Sequence, residues 1–227
     1  MSLIQMNQVQ KDYHLGEVQI TALKDISLVI ERGEFVAVWG PSGSGKSTLC
    51  NLMGMIDSQT SGTISFDGKE VAPLTDEEKT ELRSSSIGFI FQNFNLIPVL
   101  SALENVMLPL QIQGVSNEIA RKKATDILTE MDIANFIKQR PHKLSGGQQQ
   151  RVAIARSLIT SPALVLADEP TANLDSENAK RIIDIMHQIN LSRGTTFLFS
   201  THDQRLLDRV NRQIQLQDGT IVGDKRL

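Results

Sequence analysis

Apolar and polar positions alternate with a period of two along "DISLVIERGEF", setting Ile26, Leu28 and Ile30 on one face before a turn at Arg32-Gly33. That pattern predicts an antiparallel strand with one face in a core. The next run, "FVAVW" from Phe35 to Trp39, is short and apolar without interruption, as expected of a strand covered on both faces. It runs into a glycine loop, "GPSGSGKST", and then into a helical pattern.

Further along, the period changes. Ser101-Ala102-Leu103-Glu104 fits a capping box, and Leu103, Val106, Met107 and Leu110 recur at helical spacing until Gly114 stops them. A second helix is expected to carry Ile119, Ala124, Ile127, Leu128 and Met131, with Pro141 closing the block. Sheet patterns then return: "ALVLA" (Ala163 to Ala167) and "TTFLFS" (Thr195 to Ser200) read as strands flanking a helix on Ala179, Ile182, Ile183, Met186 and Ile189. Alternation around Asp218-Gly219 predicts a hairpin. The order predicts an α/β fold in one domain: a mainly parallel core and an antiparallel β part in residues 1–87 and 161–227, with a helical insertion over 88–160.

Composition narrows the function. The 227 residues allow one good core, and 40% hydrophobic with 22% charged residues is ordinary for a soluble globular chain. A formal net charge of -3 supplies no electrostatic reason to expect a nucleic-acid partner. The single cysteine, Cys50, leaves no internal disulfide, suits a reducing compartment and reads as a small buried filler beside Leu49, Leu52 and Met53. The N-terminal residues lack the basic start and apolar run of a secretory signal, and "NLIPVLSALENVMLPLQIQG" is broken by Pro98, Glu104 and Pro109, short of the about 18 apolar residues of a spanning helix. Direct membrane insertion is not expected.

The chemistry starts at Gly40-Pro41-Ser42-Gly43-Ser44-Gly45-Lys46-Ser47-Thr48, which matches G-x-x-x-x-G-K-[ST] between an apolar strand and an amphipathic helix. Its glycines let backbone N–H groups turn inward on the phosphates of a nucleotide, Lys46 reaches the β/γ oxygens, and Ser47 suits Mg²⁺. In "LVLADEP" two acids end a buried strand, where ligands of open α/β sheets lie: Asp168 fits the magnesium shell and Glu169 a water-activating base. Asp175, before "SENAKRII", reads equally as a helix cap. His202, Gln92 and Tyr13 are ambiguous singly: a structural histidine or a phosphate-facing one, a polar loop residue, a half-buried aromatic. "KLSGGQQQR" offers a second glycine-bearing helix start with Ser145 as cap and Val152, Ala155 and Ile159 beneath, but capping does not account for Gly146-Gly147.

Phosphate loop, Gln92, "LSGGQ", "LVLADEP", "NLD" and His202, in this order, resemble the ATP-binding subunit of an ABC transporter over essentially the whole chain. The resemblance implies a P-loop, RecA-like core, ATP and Mg²⁺ as cofactors, and ATP hydrolysis coupled to transport. It implies that Tyr13 stacks on adenine, that residues 40–48 hold the phosphates, and that Ser47, Gln92 and Asp168 serve the metal. Glu169 becomes the catalytic carboxylate, with Gln92 contacting the attacking water and His202 holding the γ-phosphate. Ser145, Gly146, Gly147 and Gln148, with Asp175, would meet the nucleotide of a second copy of the chain. Integral membrane permease subunits are the other implied partner, at the cytoplasmic face of the inner membrane. "FIFQNFNLIPVLSALENVMLPLQIQG" and "ADEPTANLDS" resemble the lipoprotein-release and macrolide-export branch, which includes a cell-division relative; Ala172, Gln59 and Trp39 depart from its usual pattern without removing a catalytic group. An alternative is a regulatory module that dimerises on ATP and hydrolyses little. A DNA-maintenance ATPase would need long heptad arms or a basic face, and a GTPase an N-K-x-D motif; the sequence carries neither.

Overall fold

Two sheets divide the strands in the computed structural model, which describes residues 1–16 and 18–227. Strands β1 (Ser2–Leu15) and β2 (Val18–Glu31) form a long antiparallel pair, extended across β1 by β4 (Ser61–Phe66) and β5 (Lys69–Glu70). Ile26, Leu28 and Ile30 do share the buried face of β2. At Arg32-Gly33 the chain crosses to a second sheet, where the Gly33 N–H donates to Thr196 Oγ1 at 2.9 Å.

The second sheet has the order β10-β9-β3-β8-β7-β6. Its members are β3 (Phe35–Trp39), β6 (Ile87–Ile90), β7 (Leu164–Ala167), β8 (Thr196–Thr201), β9 (Arg212–Gln217) and β10 (Thr220–Arg226). All neighbours run parallel except the β9–β10 hairpin. At its turn Asp218 (φ 48°) and Gly219 (φ 79°) are both left-handed, as a two-residue hairpin of this hand requires.

Successive side chains on a strand point to opposite faces, which explains the uninterrupted apolar runs. Phe35, Ala37, Val165, Ala167, Phe197 and Phe199 enter one core with helices α3 (Ala102–Ile112), α4 (Asn117–Glu130), α5 (Gly146–Leu158) and α6 (Ser176–Arg193). Val36, Val38, Leu164, Leu166 and Leu198 enter the other, with the antiparallel sheet and α1 (Lys46–Met53). Each large apolar side chain so buried contributes about 1.5–3 kcal/mol, so β3, β7 and β8 are fixed from both sides at the ends that bear the chemistry.

Two expectations change, for the start of the helical block and for the stripe of α4, and two features are new. Ile87–Ile90 is a parallel strand paired with β7, so residues 88–90 belong to the central sheet and the helical block starts after them. Gly88 interrupts the apolar run, and a Cβ there would lie 2.2 Å from the Ser157 carbonyl oxygen: the glycine lets α5 lie directly on β6. Helix α2 (Asp76–Ser86) has a capping box between Thr75 and Glu78 and no buried residue, hence no stripe to read. In α4 the buried stripe is Ala120, Ala124, Ile127 and Leu128, while Ile119 is 52% exposed. The small Ala120, and not its larger neighbour, carries the helical register. Asn105, fully buried in α3, was also not anticipated; its amide accepts from Ile97 N–H and donates to three carbonyls of the preceding loop, stapling that loop to the helix.

Candidate active site

The glycine loop leaves β3 at its carboxyl end and enters α1 with Gly45 at the cap in left-handed conformation (φ 102°). Two glycines here are sterically required. A Cβ on Gly40 would stand 2.0 Å from the Leu216 carbonyl oxygen, and one on Gly45 would stand 2.6 Å from that of Ala22. The loop is also tied to the C-terminal hairpin, since the Gly219 N–H donates to the Ser44 carbonyl at 3.1 Å.

Lys46 is 6% exposed and folds over its own loop, its Nζ donating to the carbonyls of Gly40 (2.9 Å) and Pro41 (2.8 Å). The buried Ser44 hydroxyl has no hydrogen-bond partner among the described residues. Nor do the N–H groups of Gly43, Gly45, Lys46 and Ser47 meet an acceptor among them. Converging unpaired donors, a helix N-terminus and one ammonium are the chemistry of a phosphate cradle. Beside it lies a cavity of about 630 Å³, bounded by the loop and start of α1, by Gln92, Glu169 and His202, and by Ile20, Thr21 and Ala22 of β2. The β2 residues escaped sequence reading because they lie in an exposed part of a strand with no motif of their own.

The acids follow β7, and Glu169 borders this cavity. Ser200, fully buried near the end of β8, donates from Oγ to Asp168 Oδ1 at 2.6 Å and accepts from the Glu169 N–H at 2.8 Å. Glu169 is itself left-handed (φ 47°), and its Oε2 meets His202 Nδ1 at 2.9 Å. Thus Glu169 and His202 border the cavity with Lys46 and Ser47, and Asp168 is held beside Glu169 by the Ser200 hydroxyl. Cys50 stands by as filler: burial pushes its thiol well up, and the nearby Asp168 charge adds to the effect.

The sequence profile of the ABC transporter family matches residues 23–172. The chain belongs to the ABC transporter family. Among similar proteins are the macrolide export ATP-binding/permease protein MacB of Syntrophobacter fumaroxidans, 45% identical over 97% of this chain and 31% of that protein, and the lipoprotein-releasing system ATP-binding protein LolD of Geobacter metallireducens, 43% identical over 98% of this chain and 99% of that protein. The chain thus spans about a third of the length of the MacB relatives it matches. A dimeric structure of the ATP-binding cassette MJ0796, in a post-hydrolysis state bound to ADP and Pi, superposes with a TM-score of 0.91 at 43% identity, covering 99% of this chain and 98% of that one. That protein is from Methanocaldococcus jannaschii.

The remaining candidate residues of this ABC family member fall into two groups. Tyr13 lies directly opposite Ile20 in the β1–β2 register, so the ring shares a face with a residue of the cavity wall. Its hydroxyl donates to Asp57 Oδ2 at 2.8 Å, and Lys11 Nζ lies 4.7 Å from the ring centroid. Burial, then the Asp57 carboxylate, push the phenol up. Gln92 is exposed in the loop after β6, and its carbonyl accepts from Asn173 Nδ2 at 2.9 Å. That contact ties it to the loop ending at Asp175.

The second group faces elsewhere. Ser145 and Gln148 complete a reciprocal capping box on α5. A Cβ on Gly146 or Gly147 would meet its nearest neighbour at 3.4 Å and 3.6 Å, ordinary contact, so packing within the chain does not demand glycine at either position. None of residues 145–148 borders the cavity of the phosphate loop. Asp175 caps α6, accepting from the N–H groups of Glu177 and Asn178, and the Asn178 N–H is the main reason its carboxyl lies below the usual range. The hydroxyl and carboxylate oxygens of Ser47 and Asp168 are hard donors suited to Mg²⁺, which binds through one or two protein groups and takes the rest of its shell from phosphates and water.

Proposed function

We propose that this chain binds ATP with Mg²⁺ in the cavity beneath Gly40–Thr48, that two copies close head to tail to hydrolyse it, and that closure drives a membrane protein of the lipoprotein-releasing or macrolide-exporting kind. One observation carries the reading. The phosphate loop, with Asp168, Glu169 and His202, forms one half of a site, while the bare helix start Ser145-Gly146-Gly147-Gln148 lies outside that cavity. A second chain supplies the missing half, with Asp175 on the loop between them.

In that arrangement residues 40–48 receive the phosphates and Lys46 exchanges its two carbonyl partners for β/γ oxygens. Tyr13 and Ile20 receive the base. Ser47, Asp168 and Gln92 would hold the metal, which when bound would supply charge neutralisation for phosphoryl transfer. Glu169 accepts the proton of the attacking water, and His202, already on its carboxylate at 2.9 Å, lies next to the γ-phosphate. Among the described residues no helix is long and apolar enough to cross a membrane. A groove of about 410 Å³ beside the Gln92 loop, walled by Phe89, Phe91, Leu108 and Ile112, offers the apolar surface for the membrane protein at the cytoplasmic face.

Replacing Glu169 by Gln removes the base and keeps the shape. The Glu169→Gln protein should lose ATPase activity by about 100-fold or more and shift from monomer to dimer on addition of ATP and Mg²⁺, read by light scattering. A variant that hydrolyses at the wild-type rate would remove the catalytic assignment. One that stays monomeric, with or without its membrane partner, would remove the shared-site reading.

A further inference from the structure

We propose that Ser200 is a positioning residue for hydrolysis, its one hydroxyl setting the geometry of both acids. The inference deepens the ATPase reading and rests on it. β8 is buried along its whole length, and "TFLFST" places Ser200 where its neighbours Leu198 and Phe199 are apolar. A hydroxyl has one proton and two lone pairs, and this one uses both capacities on adjacent residues: it donates to Asp168 Oδ1 at 2.6 Å and accepts from the Glu169 N–H at 2.8 Å. The first is a short bond to a carboxylate, the stronger kind. It fixes the rotation of the Asp168 carboxyl and leaves Oδ2, which has no hydrogen-bond partner among the described residues, for the metal side. The second holds Glu169 in a left-handed conformation (φ 47°) that a side chain with a Cβ adopts at a disadvantage.

Position along the strand completes the device. His202 stands just past the end of β8, two residues after Ser200, and its Nδ1 lies 2.9 Å from the Glu169 side chain. Glu169 is therefore gripped at its backbone and at its carboxylate from one strand end. Asp168, gripped by the same hydroxyl, is fixed relative to it. Hydrolysis needs the metal-side acid and the base held at a set separation, and Ser200 is the group common to both.

The test compares Ser200→Ala and Ser200→Thr in the full chain. Supporting groups around a metal ligand typically count for about 10–100-fold in activity or metal affinity. The alanine variant should accordingly lose about tenfold or more in kcat, with KM for ATP within about threefold. Threonine, which keeps the hydroxyl, should restore most of the loss. The melting temperature of the alanine variant should fall, because two buried partners are left unpaired, and that of the threonine variant should stay near wild type; ATP affinity without metal should be unchanged, and Mn²⁺ affinity of the ATP complex, read by electron paramagnetic resonance in a Glu169→Gln background, should fall when Ser200→Ala is added. Unchanged kcat and unchanged Mn²⁺ affinity in the alanine variant would overturn the proposal. So would equal impairment of both variants with a lowered melting temperature, since that pattern belongs to packing. A wild-type protein without turnover would count against the ATPase reading, while the Mn²⁺ measurement would still decide the role of Ser200.

Discussion

Tyr13 is held from two directions before any base arrives. Asp57 accepts from its hydroxyl and, through its other oxygen, from Lys11 Nζ at 2.7 Å, and that same ammonium covers the ring. In the proposed ATP complex the ring would thus be pre-set for stacking, with the ordering entropy met in folding and not in binding. Removing the clamp by Asp57→Ala should raise KM for ATP by up to about tenfold, the equivalent of one hydrogen bond, and leave kcat near the wild-type value. A fall in kcat with KM unchanged would place Asp57 in the chemistry instead. The ring could be picked out from the sequence, but its clamp could not: Asp57 reaches it only because β1 folds beside the segment after α1. Ser200 was hidden differently, as one hydroxyl at the end of an apolar run. Lys46, Asp168 and Glu169 were readable because their chemistry depends on neighbours in the chain.

Helix α5 joins the glycine start at Ser145 to the loop around Gln92. Arg156 on that helix donates to the carbonyls of Phe94 and Asn95, both left-handed, and Ser157 lies against β6 where Gly88 leaves room. A displacement of one end of α5 therefore reaches the Gln92 loop through packed backbone. Gly88→Ala should destabilise the protein by about 1–3 kcal/mol, the usual range for overpacking, measured by urea unfolding. Ser157→Gly will not rescue it, because the obstructing atom is a main-chain oxygen that every residue carries. A neutral Gly88→Ala would mean that α5 shifts freely on β6. The same contact explains why β6 was missed while β3, β7 and β8 were anticipated: a strand of four residues with a glycine in it yields too few apolar positions to read. α3 and α6 were visible because their stripes run about two turns or more, and α2, with no buried face, has only its caps.

Across the molecule, the antiparallel and parallel parts are pinned by Arg212. From β9 it donates to Glu34 at 2.9 Å before β3, to Asp224 at 2.6 Å on β10, and to the Val29 carbonyl at 2.8 Å on β2, with its side chain 7% exposed. The hydrogen bond from Arg212 holds the Asp224 carboxyl below the usual range. The stability it supplies is therefore complete above the ordinary aspartate pKa of about 3.9 and disappears as pH falls through the lower folded value. Asp224→Asn should lower the melting temperature at neutral pH and reduce its decline below about pH 4. Parallel pH profiles for both proteins would exclude this contribution. The carboxylate is over a third exposed, so the change should be small and weaken further in salt.

The turn at Asp218-Gly219 gives the fold a timetable. The phosphate loop is made early in the chain, but Leu216 closes one side of it and Gly219 bonds its Ser44 carbonyl, and both belong to the last hairpin in chain order. During synthesis the loop waits without that wall until β9 emerges and pairs with β3, a contact between distant parts of the chain and hence a slow one to form. Nucleotide competence is thereby a late event, and an incomplete chain exposed to ATP lacks the support on which the loop depends.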